Sequence, residues 1–246
     1  MLINLWSTPR TGSVWYSYHL AAQHRNSLVL TEMFHVHHMD MYHLRNADGS
    51  IQNFHHYIPN GFYVEFFIDD TGNIKKRSIT GERTRTVKQE EEYCFDLIKQ
   101  FNGSQVLILH NHVEPINPSI MQYCIDKADK NIWIYRKDKV QQLASYAVAL
   151  GTKKFASFRK QVHTNEVAPD CEIELLERLV KRIKLWDSLT ADKRDNDEII
   201  CFEDIKFYDR IGFPYDQNLN PLEKLSDNIK QVILQLVSDY EDSRNQ

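Results

Sequence analysis

Arg10, Thr11, Gly12 and Ser13 follow directly on an apolar run in the stretch LWSTPRTGSVW, residues 5–15. Their types suit the holding of an anion. Gly12 lets the backbone come close, Thr11 and Ser13 offer hydroxyl donors, and Arg10 brings a permanent charge with a forked geometry matched to phosphate or sulfate. An aromatic-rich helical pattern starts at Ser13. The first amides of a helix lack intrahelical partners, and the helix dipole favours negative charge there. Val14 belongs to that first turn. The loop is not a Walker A motif, because the second glycine and the lysine of G-x-x-x-x-G-K-[ST] are missing.

A second stretch, IWIYRKDKVQQLASYAVAL, repeats the arrangement. A strand ends at Tyr135, Arg136 stands at its carboxyl end, and a helix opens near Asp138. Ser145 lies seven residues beyond Asp138, two helical turns on, so Arg136 and Ser145 can converge on one group lying along the helix.

These residues need a frame. The 246 residues are 42% hydrophobic and 26% charged, the composition of a globular protein with a sizeable core. A net charge of −4 argues against a general nucleic-acid binder. No run approaches the length of a membrane span, and no basic stretch precedes the N-terminal apolar run, so a cytoplasmic location is expected. The four cysteines are widely spaced without a C-x-x-C pair and read as buried thiols.

Apolar runs predict strands at Leu2 to Ser7, Leu28 to Leu30, Gln105 to His110, Asn131 to Tyr135 and Glu198 to Phe202. Helices are expected over Ser13 to His24, Thr86 to Phe101, Pro118 to Ala128, Asp138 to Leu150 and Glu172 to Leu189. The helix over 172–189 carries the stripe Leu176, Leu179, Ile183 and Trp186. A final helix is predicted to start at Asn220-Pro221, with the stripe Leu222, Leu225, Ile229, Val232 and Leu236. Strands alternating with helices predict one α/β domain over 1–246, a three-layer sandwich around a central parallel sheet, with ligands beyond the carboxyl ends of the strands.

Residues 35–85 stand apart as an insertion into this core, carrying a β-hairpin, FYVEFFIDDTGNIKKRSI, with its turn at Asp70 to Asn73. An acceptor-side role is expected for it. The segment also holds six of the eleven histidines (His35, His37, His38, His43, His55 and His56). Their spacing fits no zinc finger and no cysteine is near, so pocket lining or plain surface is expected rather than a metal site.

Read together, P-R-T-G-S-x-W after the first strand and R-x-D-x-x-x-Q-x-x-S later resemble the sulfotransferases that use 3′-phosphoadenosine 5′-phosphosulfate (PAPS). A third piece agrees: LWDSLTADKRDNDEIICFEDI resembles that family's late helix and the strand ending in a Y-E-D-L-like tetrapeptide, here Phe202-Glu203-Asp204-Ile205. The resemblance spans about residues 2–32 and 105–212. The Arg136-to-Ser145 spacing is closer to the bacterial trehalose-type branch than to the cytosolic animal enzymes, whose late R-K-G and G-D-W loop is not visible in 206–246.

The resemblance implies a P-loop-type nucleotide fold and a PAPS donor, with PAP as the product nucleotide. It assigns Arg10, Thr11, Gly12, Ser13 and Val14 to the 5′-phosphosulfate, and Arg136 and Ser145 to the 3′-phosphate. No metal is required, and the acceptor is a hydroxyl or amine of a small molecule or carbohydrate. Arg10 also serves the chemistry, neutralising charge on the departing phosphate. Two residues compete as general base. Glu32, in LTEMF, resembles the glutamate of the bacterial branch's E-x-F stretch. His112, in LILHNHVEP, resembles the histidine of the cytosolic branch's K-T-H-x-P segment, with His110 in the lysine's place. Glu32 is favoured, because the Arg10 motif and the nine-residue spacing from Arg136 to Ser145 both point to the bacterial branch, and its strand is expected beside the first. The alternatives are a P-loop nucleotide kinase and a non-catalytic relative that only binds PAP.

Overall fold

The computed structural model describes residues 1–31, 34, 41–45, 51–55, 62–80, 85, 87–113, 116–152, 170–191, 193–205 and 220–244. By internal packing the chain divides into two compact units. The first holds 1–7, 13–133 and 195–199; the second holds 8–12, 134–194 and 200–246.

The fold is α/β, with a central parallel sheet of five strands and, among the described residues, six helices. Strand β1, Leu2–Ser7, is buried along its whole length, as a mainly apolar run predicts for a strand covered on both faces. After it come helix α1 (Ser13–Gln23) and β2 (Ser27–Thr31), then β3 (Met41–Arg45) and β4 (Ile51–His55). The hairpin strands β5 (Phe62–Ile68) and β6 (Ile74–Thr80) follow, then α2 (Val87–Gln100), β7 (Val106–His112), α3 (Pro118–Lys127), β8 (Lys130–Tyr135) and β9 (Glu198–Cys201).

The strand order is β4-β3-β2-β7-β1-β8-β9. This corrects two expectations. β2 does not lie beside β1: β7 pairs in parallel with both and separates them. The rule that chain neighbours pair is overridden because β7, arriving much later, fills the central place. Nor does β7 stop at His110. It runs two residues further, so His112 is a strand residue in register with Ser7. The sheet also gains two antiparallel strands that the sequence did not signal, β3 and β4, on the side of β2.

The order has a consequence for the site. From β1 the chain crosses through α1 to β2, one way along the sheet; from β7 it crosses through α3 to β8, the other way. Right-handed crossovers of opposite direction place their helices on opposite faces. Ser7 and His112 therefore end the two adjacent strands at which the connections diverge, where open α/β sheets take their ligands.

A buried polar network fixes the strands on one face. The Asn4 side-chain amide donates to the Cys124 carbonyl (2.6 Å) and to Asn131 Oδ1 (3.0 Å), which also accepts from Trp6 Nε1 (3.1 Å). Asp197 accepts from Asn131 Nδ2 (3.1 Å) and Trp133 Nε1 (3.2 Å), and the Trp6 and Trp133 rings stack at 5.8 Å. A one-residue slip of β1 would strand these donors, so the network specifies register.

The hairpin β5–β6 forms a separate two-stranded sheet. Asp69 Oδ1 gathers the Thr71 and Asn73 amides and the Thr71 hydroxyl into its turn. Gly72 takes φ +73 and accepts from the Gly103 amide at 2.9 Å, while Asn73 Oδ1 accepts from the Gln105 amide. The tip is thus fastened to the residues leading into the amino end of β7. A Cβ on Gly72 would lie 1.7 Å from Asn102 Oδ1. Gly72→Ala is expected to lower stability by about 1–3 kcal/mol through strain at positive φ and this clash, read as a lower denaturation midpoint.

Within the hairpin Glu65 is buried, and its carboxylate takes two bonds from Arg77 and a third from Arg85, whose guanidinium lies 3.8 Å from the centre of the Tyr93 ring. Burial pushes the Glu65 carboxyl up, but the hydrogen bonds and charges of Arg77 and Arg85 outweigh it and hold it below the ordinary glutamate value. The sign follows: the folded group binds its proton less readily than the unfolded one. Its stabilisation is present above about pH 4 and is lost as pH falls through the depressed value. Glu65→Gln is expected to lower the melting temperature at neutral pH and to flatten its decline under acid.

In the second unit, helices α4 (Lys139–Thr152), α5 (Ile173–Ala191) and α6 (Asp227–Arg244) pack on one core. Leu143, Ala144 and Ala147 meet Leu176, Leu179 and Ile183, and both meet Leu225, Ile229, Ile233 and Val237. The α5 stripe is as its period predicts, Trp186 included. The final helix is not. Pro221–Lys224 forms only a short 3-10 turn, and α6 begins at Asp227, with the Ser226 hydroxyl accepting from the Ile229 amide. The later start turns the buried stripe to Ile229, Ile233, Val237 and Tyr240.

Candidate functional site

Within the second unit the turn carrying Arg10 is held by the start of α4. Arg10 has φ +66 and Gly12 φ +67, with Thr11 between them outside the positive region. Turns of mixed handedness aim successive amides at one point and form anion-binding concavities. Arginine in the left-handed region costs about 1–2 kcal/mol, and such strain persists where the surroundings over-determine it.

Those surroundings are specific. Arg10 Nε donates to Ser145 Oγ at 2.9 Å, and Arg136 Nη1 donates to the Arg10 carbonyl at 3.4 Å. The fully buried Gln142 donates from Nε2 to Thr8 Oγ1 and to the Pro9 carbonyl, both at 2.8 Å, and the Thr11 hydroxyl closes the turn onto the Thr8 carbonyl at 3.0 Å. The structure therefore brings together four of the expected residues, Arg10, Thr11, Arg136 and Ser145, with Gly12 completing the turn.

The cradle has parts to which the sequence gave no role. Gln142 stands three residues before Ser145, one turn along the same helix face, so its spacing was the available signal. Glu203 is the other. Its carboxylate accepts from the Lys137 amide at 2.9 Å and the Asp138 amide at 3.1 Å, capping α4, and lies 3.8 Å from Arg136 Nε. The Phe202 ring lies under the Arg136 guanidinium at 4.8 Å, and Lys139 Nζ donates to the Arg136 carbonyl. Burial raises the Glu203 carboxyl, but the Cys201 thiol and the two capping amides outweigh it and keep it below the ordinary range. Arg136 is thus fixed in direction by the Phe-Glu pair of the late tetrapeptide.

The strain at Arg10 offers a separable check. At ordinary positions glycine is less stable than alanine, but at φ +66 the order inverts. Arg10→Gly is expected to be more stable than Arg10→Ala by about 1 kcal/mol in chemical denaturation, with both losing the charge.

In the first unit, Ser13 and Val14 open α1, Ser13 buried and the Val14 carbonyl accepting from the Ser17 hydroxyl. At the carboxyl ends of β1 and β7, Ser7 Oγ lies 3.2 Å from His110 Nε2 and 3.0 Å from His112 Nδ1. The two imidazoles meet edge to face at 5.5 Å. Ser7 and His110 are fully buried and His112 half-buried. Glu32 lies outside the described residues, and the one argument that set it near the first turn, adjacency of β2 to β1, does not hold.

Of the six clustered histidines, His43 lies on β3 and His55 on β4; His35, His37, His38 and His56 fall outside the described residues. Among the described residues no group of three His, Cys, Asp or Glu is placed to hold a metal ion, and no helix is long and apolar enough to cross a membrane. No protein-family model matches the chain, and no curated protein matches it either.

Proposed function

We propose that this protein is a sulfotransferase of P-loop type that moves a sulfuryl group from PAPS to a hydroxyl or amine of a small-molecule or carbohydrate acceptor. The observation that carries the proposal is the meeting of Arg10, Arg136 and Ser145 around a turn strained to positive φ. In this reading Arg136 and Ser145 hold the 3′-phosphate. Arg10, Thr11, Gly12, Ser13 and Val14 hold the 5′-phosphosulfate through side chains, turn amides and the first turn of α1.

Sulfuryl transfer needs charge neutralised on a departing phosphate, an aligned acceptor and removal of the acceptor's proton. Arg10 and the turn amides suit the first task without a divalent metal. For the proton, His112 is the better-supported base. Its ring stands at the carboxyl end of β7, in register with Ser7, the residue before the turn, and a neutral imidazole has a ring nitrogen that can accept a proton. Glu32 remains the competitor. A nucleotide kinase is the less favoured reading, since the turn has no lysine for a β- or γ-phosphate.

Incubation with PAPS and a mixed metabolite extract tests the proposal. Products heavier by one SO3 unit are expected, with EDTA present. No such product, together with phosphoryl transfer from ATP and Mg2+ in the same extract, would replace this reading by the kinase.

A further inference from the structure

Thr8, Pro9, Arg10 and Thr11 place a proline before a residue at φ +66, the pattern of a type II turn. The second central place of that turn suits glycine or asparagine; arginine there suits the type I form, whose φ is negative. The two forms differ by a flip of one peptide unit, the one that joins Pro9 to Arg10. In the type I form the Pro9 carbonyl would point to the opposite side.

The flipped unit is held by Gln142. Its Nε2 donates to the Pro9 carbonyl and to Thr8 Oγ1, both at 2.8 Å. A carbonyl only accepts, so the nitrogen end of the amide must face Pro9 and the direction of that bond is fixed. Gln142 has no exposed surface, and its Oε1 is buried without a hydrogen bond among the described residues. Methionine would fill the same space without an orphaned oxygen, so the amide serves the turn rather than the packing. The next peptide unit is held as well, since Arg136 Nη1 donates to the Arg10 carbonyl at 3.4 Å. Peptide units are planar, so pinning the two that flank the Arg10 Cα fixes both of its soft dihedrals.

We propose that Gln142 is a positioning residue: it selects the positive-φ form of the Pro9–Arg10 turn and so keeps the anion-binding concavity formed before any ligand arrives. The Pro9 carbonyl and the Arg10 amide belong to one peptide unit, so holding the first sets the direction of the second. An anion nest needs successive amides aimed at one point, and a flip of this unit turns one of them away. Without the Gln142 amide the turn relaxes to the type I form, and the binding-competent form becomes the minor one. Apparent affinity then falls by the fraction that remains competent. The binding half of the inference rests on the proposed reading of this turn as the seat of the 5′-phosphosulfate. The backbone half rests on Gln142 and the turn alone.

The backbone half is tested without ligand. The nuclear Overhauser effect between the Pro9 Hα and the Arg10 amide proton reports the turn form, because the flip carries that proton from close beside the Hα to away from it. A strong effect is expected in the parent protein and a weak one in Gln142→Met, which keeps the length of the side chain and removes both donated bonds. Gln142→Leu is the second variant, should the first fail to fold. A weak effect in the parent, or a strong one kept in either folded variant, overturns the proposal; a glutamine that only filled the core would lower stability and leave this contact as it was. In binding, Gln142→Met is expected to weaken PAP and adenosine 5′-phosphosulfate alike, by about 5- to 30-fold, the range set by the strain of a non-glycine residue at positive φ. Both ligands use the turn, whereas loss of Arg136 separates them. A weakened contact with both affinities intact would show that the anion does not need this turn form and would overturn the proposal as well. Failure of both nucleotides to bind the parent protein would sink the sulfotransferase reading and leave the result on the turn standing.

Discussion

His112→Asn is expected to bind PAP as the parent protein does and to lose about 10²–10⁴ in kcat, the loss that removal of a general base brings. Binding survives because the nucleotide contacts proposed here come from Arg10 to Val14, Arg136 and Ser145 rather than from β7. Asparagine keeps a donor near Ser7 and a strand-compatible size, so the fold should hold. Glu32→Gln is the paired experiment and is expected to lose less. The reverse ranking, with Glu32→Gln the slower variant, would return the base to Glu32 and leave His112 as a supporting side chain at the strand end.

Arg136→Ala should weaken PAP by about 10- to 150-fold, corresponding to about 1.5–3 kcal/mol for a charge-assisted contact. Adenosine 5′-phosphosulfate, which lacks the 3′-phosphate, should weaken far less. The structure makes this a clean comparison, because the groups that steer Arg136 stay put: Glu203 still caps α4 through the Lys137 and Asp138 amides. Competition measurements with the two nucleotides check it. Equal weakening of both would make Arg136 a structural arginine that only ties the Arg10 carbonyl.

Much of the frame was legible because burial on both faces leaves a simple mark. LINLWS reads as an interior strand and is one, and the α5 stripe at Leu176, Leu179, Ile183 and Trp186 follows the helical period. The turn and the α4 residues were legible too, since a strand-turn-helix pattern and a seven-residue helical spacing are local properties. Strand order is not local. Nothing in Ser27–Thr31 records that a strand beginning at Val106 will come between it and Leu2–Ser7. That choice is made by tertiary packing, and it moved the argument from Glu32 to His112.

The strands MYHLR and IQNFH escaped for a different reason: they sit at one side of the sheet as an antiparallel pair and show neither an apolar run nor a clean alternation. The α6 start was misread because Asn220-Pro221 carries a strong local start signal, which the chain spends on a short 3-10 turn before Ser226 caps the helix proper. Gln142 and Glu203 were visible as motif letters, but what they hold depends on which backbone comes near. The Ser7, His110 and His112 triad depends on the pairing of β1 with β7 and has no sequence signal beyond its residue types.

The central claim, a site for the 3′,5′-bisphosphate of PAP, is tested most directly by thermal melting of the protein against PAP with EDTA present. Ligand that binds only the folded state contributes RT ln(1 + [L]/Kd), about 2.7 kcal/mol at a hundredfold excess over Kd. The account predicts a melting temperature that climbs with PAP without any divalent metal and climbs much less in Arg136→Ala. A melting temperature that stays flat across millimolar PAP would contradict it.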